Sequence, residues 1–148
     1  MEERFETFTV LINRISRNIR KLKNQEMADE QLRSVHISCL YYLHAEEGLT
    51  AARLCQRCEE DKATISRALD HLEQEGYLTC PIQSGKRYNA PLVLTEKGQK
   101  TAKKISGKID RVLEEISDSM TEQERLAFYR CLSRISLRLE EVTREGDI

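Results

Sequence analysis

The stretch 59–79, EEDKATISRALDHLEQEGYLT, decides how the chain folds. Asp61 is a good helix N-cap, its carboxylate placed to accept the free amides near Thr64. Ile65, Ala68, Leu69 and Leu72 recur at helical spacing and form one apolar stripe. Gly76 supplies a left-handed stop, and an alternating segment follows at once. The front of this helix is polar and basic, with Lys62, Thr64, Ser66, Arg67 and His71 off the stripe. A helix that only packed would not need such a first turn. One that meets a negatively charged partner would.

Working outward, the 50–58 segment reads as a short helix capped by Thr50, with Ala51, Leu54, Cys55 and Cys58 on a core-facing stripe. Gly48 separates it from a helix at about 30–45, VHISCLYYLH, which is apolar on more than one face and therefore central. Beyond Gly76, YLTCPI places Leu78, Cys80 and Ile82 on one side, QSGKRYN is a polar turn, and APLVL returns as a second strand. Pro81 and Pro91 restrict this hairpin to a small, edge-like sheet. Lys86 and Arg87 lie beside Gly85 at its tip, a basic finger sized for a minor groove or the adjacent backbone.

The chain ends carry seams rather than globular cores. Phe5, Phe8, Ile12, Ile15, Ile19 and Leu22 step by alternating threes and fours, the period of a helix seated on other helices. Arg14, Arg17, Arg20, Lys21 and Lys23 lie between them, read first as a solvated or ion-paired face and second as a phosphate-contacting flank. Thr95 caps a further helix with the seam Ile105, Ile109, Val112 and Ile116. A capping box, TEQE at 121–124, starts the last helix, whose seam is Phe128, Leu132, Ile135, Leu139 and Val142. One chain buries only part of three such seams, so a two-fold dimer with interlocked terminal helices is expected.

Bulk properties agree. The 148 residues suit one domain or two small lobes, and 39% apolar content is lean for a self-contained globule. The net charge of −1 is unevenly spread: residues 50–105 carry 10 Lys/Arg against 7 Asp/Glu, whereas 106–148 carry 7 against 10. A basic centre can attract phosphate while acidic flanks maintain solubility. No stretch approaches the roughly 18 apolar residues of a membrane span, and the acidic start MEERFETF is no secretory signal, so a cytoplasmic location without membrane partners is expected. Five cysteines without scaffold spacing fit reduced thiols.

Two short helices joined by a tight turn, the second with a polar front, have the organisation of a helix-turn-helix. Residues 49–98 resemble the winged helix-turn-helix of the multiple-antibiotic-resistance regulator (MarR) family: the Leu-Thr opening at 49–50, DKATISR with LDHLEQEGYL, and LTEKG at 94–98. The resemblance implies a mostly α fold with a small β-hairpin wing. Residues 31–104 would form the winged helix-turn-helix, flanked by N- and C-terminal dimerisation helices at 1–30 and 105–148. It also implies a homodimeric transcriptional regulator, usually a repressor, on a pseudo-palindromic double-stranded DNA operator. Lys62, Thr64, Ser66 and Arg67 would then inherit the recognition role and Arg87 the wing-tip role, with His71 and Lys86 as further contacts. Two departures stand out. The wing reads GKRYN with one Arg and no bracing Asp, and Glu59 and Glu60 occupy a turn that usually holds a glycine and an apolar residue.

Other candidate sites are weaker. His36, Cys39, Tyr41 and Tyr42 read first as packing and second as an aromatic-lined effector pocket, where the resemblance implies phenolic or other aromatic ligands. Cys55 and Cys58 read first as packing, then as a thiol sensor, and last as a metal site, since a second ligand pair is absent. The family's peroxide sensors carry their thiol early in the first helix, and this chain has none before Cys39. Cys80 and Cys131 are taken as packing residues. Three histidines on separate helices, with no nucleophile motif and no phosphate loop, point away from an enzyme, and no cofactor or metal is implied. The rivals to a ligand-released repressor are a thiol- or metal-sensing regulator on the same fold, using Cys55, Cys58 or His36 and Cys39, and a helical protein-interaction module that does not bind DNA.

Overall fold

A computed structural model describes residues 2–26, 31–80 and 89–146. The order is α1 (Glu2–Glu26), α2 (Ser34–Ala45), α3 (Ala51–Cys58), α4 (Lys62–Gln74), β1 (Leu78–Thr79), β2 (Val93–Leu94), α5 (Glu96–Ser117) and α6 (Glu122–Glu145). This is the expected succession of four helices, a hairpin and two helices. The second helix starts at Ser34 rather than near residue 30. Two compact units divide the chain, Met1–Ser106 and Gly107–Ile148.

The first unit is built on α2, α3 and α4, which pack on one another. Leu40 of α2, Leu54 of α3, and Ile65 and Leu72 of α4 are fully buried, and Ala68 and Leu69 complete the predicted α4 stripe. Each buried Leu or Ile side chain contributes about 1.5–3 kcal/mol through removal of apolar surface from water. The caps read from the sequence are present. Thr50 Oγ1 accepts from Arg53 N at 3.2 Å, and Asp61 Oδ1 accepts from Thr64 N at 2.7 Å. Gly48 and Gly76 both adopt positive φ, +78° and +80°. At these bends glycine carries no steric cost.

Among the described residues the sheet is short. Leu78 pairs with Leu94 and Thr79 with Val93, antiparallel. The segment leading into α3 also joins it: Leu92 N donates to Leu49 O at 2.9 Å, and Thr50 forms a bridge with Pro91. A proline fits there because an isolated edge bridge does not demand its missing N–H. Cys80 is half-buried, and Ile82 lies outside the described residues.

The LTEKG run locks the hairpin to α5. Thr95 Oγ1 donates to Gly76 O at 2.6 Å, Thr95 N donates to Tyr77 O at 3.0 Å, and Gly98 N donates to Thr95 Oγ1 at 3.1 Å. Lys97 Nζ donates to Glu75 O at 2.7 Å and sits over the Tyr77 ring. A Cβ on Gly98 would overlap the Tyr77 carbonyl, so only glycine allows this approach. The end of α4 is thereby tied to the start of α5, whose Ala102 and Ile105 are buried.

The predicted seams are helical, and those of α1 and α6 are largely exposed. On α1, Phe8, Ile12, Ile15 and Ile19 are exposed. In the second unit, α6 has the predicted reciprocal capping box of Thr121 and Glu124, yet no residue of α6 is buried. Phe128, Ile135 and Leu139 of its seam are exposed, together with Leu126, Tyr129 and Leu137. Cys131, expected to pack, is exposed on the same helix. Among the described residues no helix is long and apolar enough to cross a membrane.

Candidate nucleic-acid interface

The α4 stripe fixes which side of the helix is free. With Ile65, Ala68, Leu69 and Leu72 inward, Lys62, Ser66 and Arg67 are exposed and Thr64 is half-buried. Arg67 Nη2 lies 3.5 Å from Thr64 Oγ1, so the two residues share one patch. Asp61 caps the helix beside them. The Thr64 backbone amide, followed by its hydroxyl, holds the Asp61 carboxyl below its usual range. The cap consumes that negative charge within the helix end. The remaining first-turn amides and the helix dipole still favour an anion.

The turn before α4 is strained. Glu59 ends α3 in the left-handed region at φ +52°. Glu60 turns into a cleft lined by α1 and α2 residues. On the opposite side of α3, Arg57 Nη2 meets Glu46 Oε2 at 2.7 Å and Arg53 Nη2 meets Glu46 Oε1 at 3.6 Å, pinning α3 to the end of α2.

His71 departs from the expected outward role. Its ring stacks on His36 with centroids 4.6 Å apart, and Nε2 is buried with no hydrogen-bond partner among the described residues. The reason is rotational: His71 lies three residues after Ala68 and one before Leu72, next to the buried stripe rather than opposite it. His36 Nδ1 accepts from Arg33 N at 3.0 Å, which fixes the ring at the start of α2. Burial, then the neighbouring His71 and Arg33, lowers the His36 pKa to about 4, so this imidazole is neutral near pH 7. Lys86 and Arg87 lie outside the described residues.

The four residues proposed for an effector pocket are not gathered in one place. His36 faces α4 and lines a cleft of about 880 Å³ with Arg33, Thr64, Arg67 and His71. Cys39 is fully buried and its thiol donates to Cys58 Sγ. Tyr41 and Tyr42 meet edge to face, 5.3 Å apart, with both rings half-buried. Successive 100° rotations along α2 send these side chains to different neighbours. The sequence signal for the cleft was available in the His36 and His71 pair, but only the helix crossing identifies them as partners. Cys55 and Cys58 are half-buried rather than core residues. Among the described residues no group of three or more His, Cys, Asp or Glu side chains is arranged to hold a metal ion.

Residues 30–87, which span α2 to the hairpin, match the model of the MarR family. These residues form a winged helix of the MarR family. Solved MarR structures agree over most of the chain's length. A MarR-family transcriptional regulator from Silicibacter pomeroyi is 27% identical, covers 88% of each chain and superimposes with a TM-score of 0.74. A MarR-family regulator from Neisseria meningitidis is 17% identical but covers 97% of this chain and 98% of its own, with a TM-score of 0.82. The S. aureus MepR–DNA complex is 19% identical, covers 89% of this chain and 97% of its own, and gives a TM-score of 0.79. At the two lower identities the likeness is one of fold. No curated protein sequence matches the chain. MarR-family proteins regulate transcription and are not enzymes, in line with the motif content of the sequence.

Proposed function

We propose that this MarR-family chain is a cytoplasmic, homodimeric transcriptional repressor that binds a pseudo-palindromic operator and is released by a small aromatic effector. The observation that carries the reading is the division of α4: its stripe is buried to the last residue while Lys62, Ser66 and Arg67 are exposed in its first two turns. Arg and Lys donate to guanine edges or phosphates, and Ser and Thr serve either. The MepR–DNA complex, with the same fold, supports the same use of α4 here. The exposed apolar residues of α1 and α6 supply the surface that a two-fold partner would cover. Such a dimer would present its two α4 helices about 34 Å apart, one turn of duplex.

The cleft between α2 and α4 is the better effector site than the α2 cluster expected from sequence. A ligand between His36, His71 and Arg33 would touch Thr64 and Arg67 directly, coupling its binding to the DNA-contacting residues. Arg67→Ala is expected to weaken operator binding by about 1–3 kcal/mol, read by fluorescence anisotropy. Arg87→Ala should lower affinity for operator and random duplex alike and reduce the salt slope by about one. Unchanged operator affinity in Arg67→Ala would remove α4 as the reading element. Absence of any salt-sensitive duplex binding would replace the repressor with a protein-interaction module.

A further inference from the structure

The uncovered surface of α4 has two edges. Lys62, Ser66 and Asp70 gather on one of them, around a small cleft of about 190 Å³ that reaches Ala51 and Leu92. Asp61, Thr64 and Arg67 follow one another at three-residue steps along the other, the spacing at which helical side chains become neighbours. Thr64 and Arg67 also line the larger cleft toward Arg33 and His36. The three residues are joined in series. Thr64 N donates to Asp61 Oδ1 at 2.7 Å, and Arg67 Nη2 donates to Thr64 Oγ1 at 3.5 Å. Asp61 and Arg67 are exposed, and Thr64 between them is half-buried.

Capping alone does not call for the charge of Asp61. A cap needs one acceptor oxygen, and Asn or Ser supplies it as well as Asp does. A carboxylate at this point repels phosphate beside Lys62 and Arg67, the residues best suited to attract it. The turn already contains Glu59, which ends α3, and Glu60, which lines the cleft toward α1 and α2. Asp61 differs from both in bonding into the first turn of α4. Its carboxyl stays ionised, held down by the Thr64 amide and hydroxyl and then by the Arg67 charge.

The consequence falls on Arg67. An exposed arginine samples many rotamers and meets any phosphate within reach. Tethered to the Thr64 hydroxyl and drawn toward the Asp61 charge, the guanidinium loses less freedom when it docks. Guanine N7 and O6 accept its fork and reward that pose, whereas backbone phosphates are equally repelled by the carboxylate on every sequence. Discrimination is a difference between two affinities, and the two effects widen it from opposite sides.

We propose that Asp61 and Thr64 are positioning residues that set the sequence discrimination of α4, holding the Arg67 guanidinium for base reading and opposing its capture by phosphate alone. Thr64 then acts through Arg67 rather than on the duplex itself. This role deepens the proposed DNA-binding function and rests on it.

The test uses the full chain with two fluorescent duplexes of equal length, one selected from a random pool by the wild-type protein and one scrambled. Anisotropy titrations at fixed salt give the ratio of the two affinities. Thr64→Val keeps the backbone amide that Asp61 caps and removes only the hydroxyl. It should lower the ratio about tenfold or more, and Thr64→Ser should recover most of the loss. Asp61→Asn keeps a capping oxygen, so thermal melts should move little, while scrambled duplex binds several-fold tighter at low salt and the ratio falls. In an Arg67→Ala background, Thr64→Val should change the ratio by less than about twofold. A full loss persisting in that background would place Thr64 on the duplex and overturn the positioning role. An unchanged ratio in Asp61→Asn would reduce Asp61 to a cap, and this variant carries the test if Thr64→Val fails to fold. In the free chain, the Arg67 Nε–H signal should exchange with water faster in Thr64→Val than in the wild type, and equal rates overturn the tether. A chain that binds neither duplex overturns the proposed function and the discrimination with it, while the exchange comparison still decides the tether.

Discussion

Helices α4 and α6 are both amphipathic in sequence, and they end in opposite states. The 13 residues of α4 bury Ile65, Ala68, Leu69 and Leu72, while the 24 residues of α6 bury none. Both start with an acceptor side chain on the N3 amide, Asp61 on Thr64 and Thr121 on Glu124. Local encoding is equally good in the two. What differs is whether another element of the chain covers the stripe. For α4 the covering elements are α2 and α3 of its own unit. Periodicity therefore identifies a face that wants burial, and leaves open which molecule supplies the cover.

Leu72→Ala should break the α4 side of this contrast most severely. Leu72 is 0% exposed, and truncation of such a residue costs about 2–5 kcal/mol through lost transfer free energy and the cavity left behind. Urea denaturation should show the loss with little dependence on protein concentration. The same truncation at Leu137, 60% exposed on α6, should leave the stability of a dilute monomer nearly unchanged.

Acid should come next and should also act on the α4 side. The folded pKa of His36 lies near 4 against 6.5 unfolded, so the unfolded chain binds more protons between those values. The stabilisation from neutral His36 is fully present above pH 6.5 and is lost as pH falls toward 4, by up to about 3 kcal/mol. Thermal melts of His36→Phe should be flatter across that window. Asp61 titrates with the same sign at lower pH: its depressed carboxyl stabilises above the ordinary carboxylate range, and that support fades at more acidic pH.

Charge placed on α6 tests the other half of the comparison. Ile135→Glu with Leu139→Glu should leave the first unit folded by circular dichroism but weaken self-association at least tenfold in analytical ultracentrifugation. That factor corresponds to about 1.4 kcal/mol or more. A double variant that still sediments as a dimer would show that α6 is covered by something other than a second copy.

The smallest effect is expected at the turn into α4. Glu59→Gly relieves the left-handed backbone and should stabilise the chain by about 1 kcal/mol, visible as a raised urea midpoint. It also removes one acid next to the basic patch, so duplex binding should strengthen slightly at low salt.

The caps, the stop at Gly76 and the four-residue stripe of α4 were legible in the sequence because each is an interaction between residues three or four apart. Such contacts follow from helix geometry alone. The outward position of Lys62, Ser66 and Arg67 was legible for the same reason, since a buried stripe leaves its opposite face free. The family likeness was legible in the run from Leu49 to Gly98. The tertiary structure alone decided that His71 stacks on His36, that Cys39 meets Cys58, that Leu49 joins the hairpin through Leu92, and that Gly98 must stay bare against Tyr77. Those pairs lie between 19 and 43 residues apart in sequence. Their meeting depends on how helices cross and rotate in a close-packed interior, which no local spacing records.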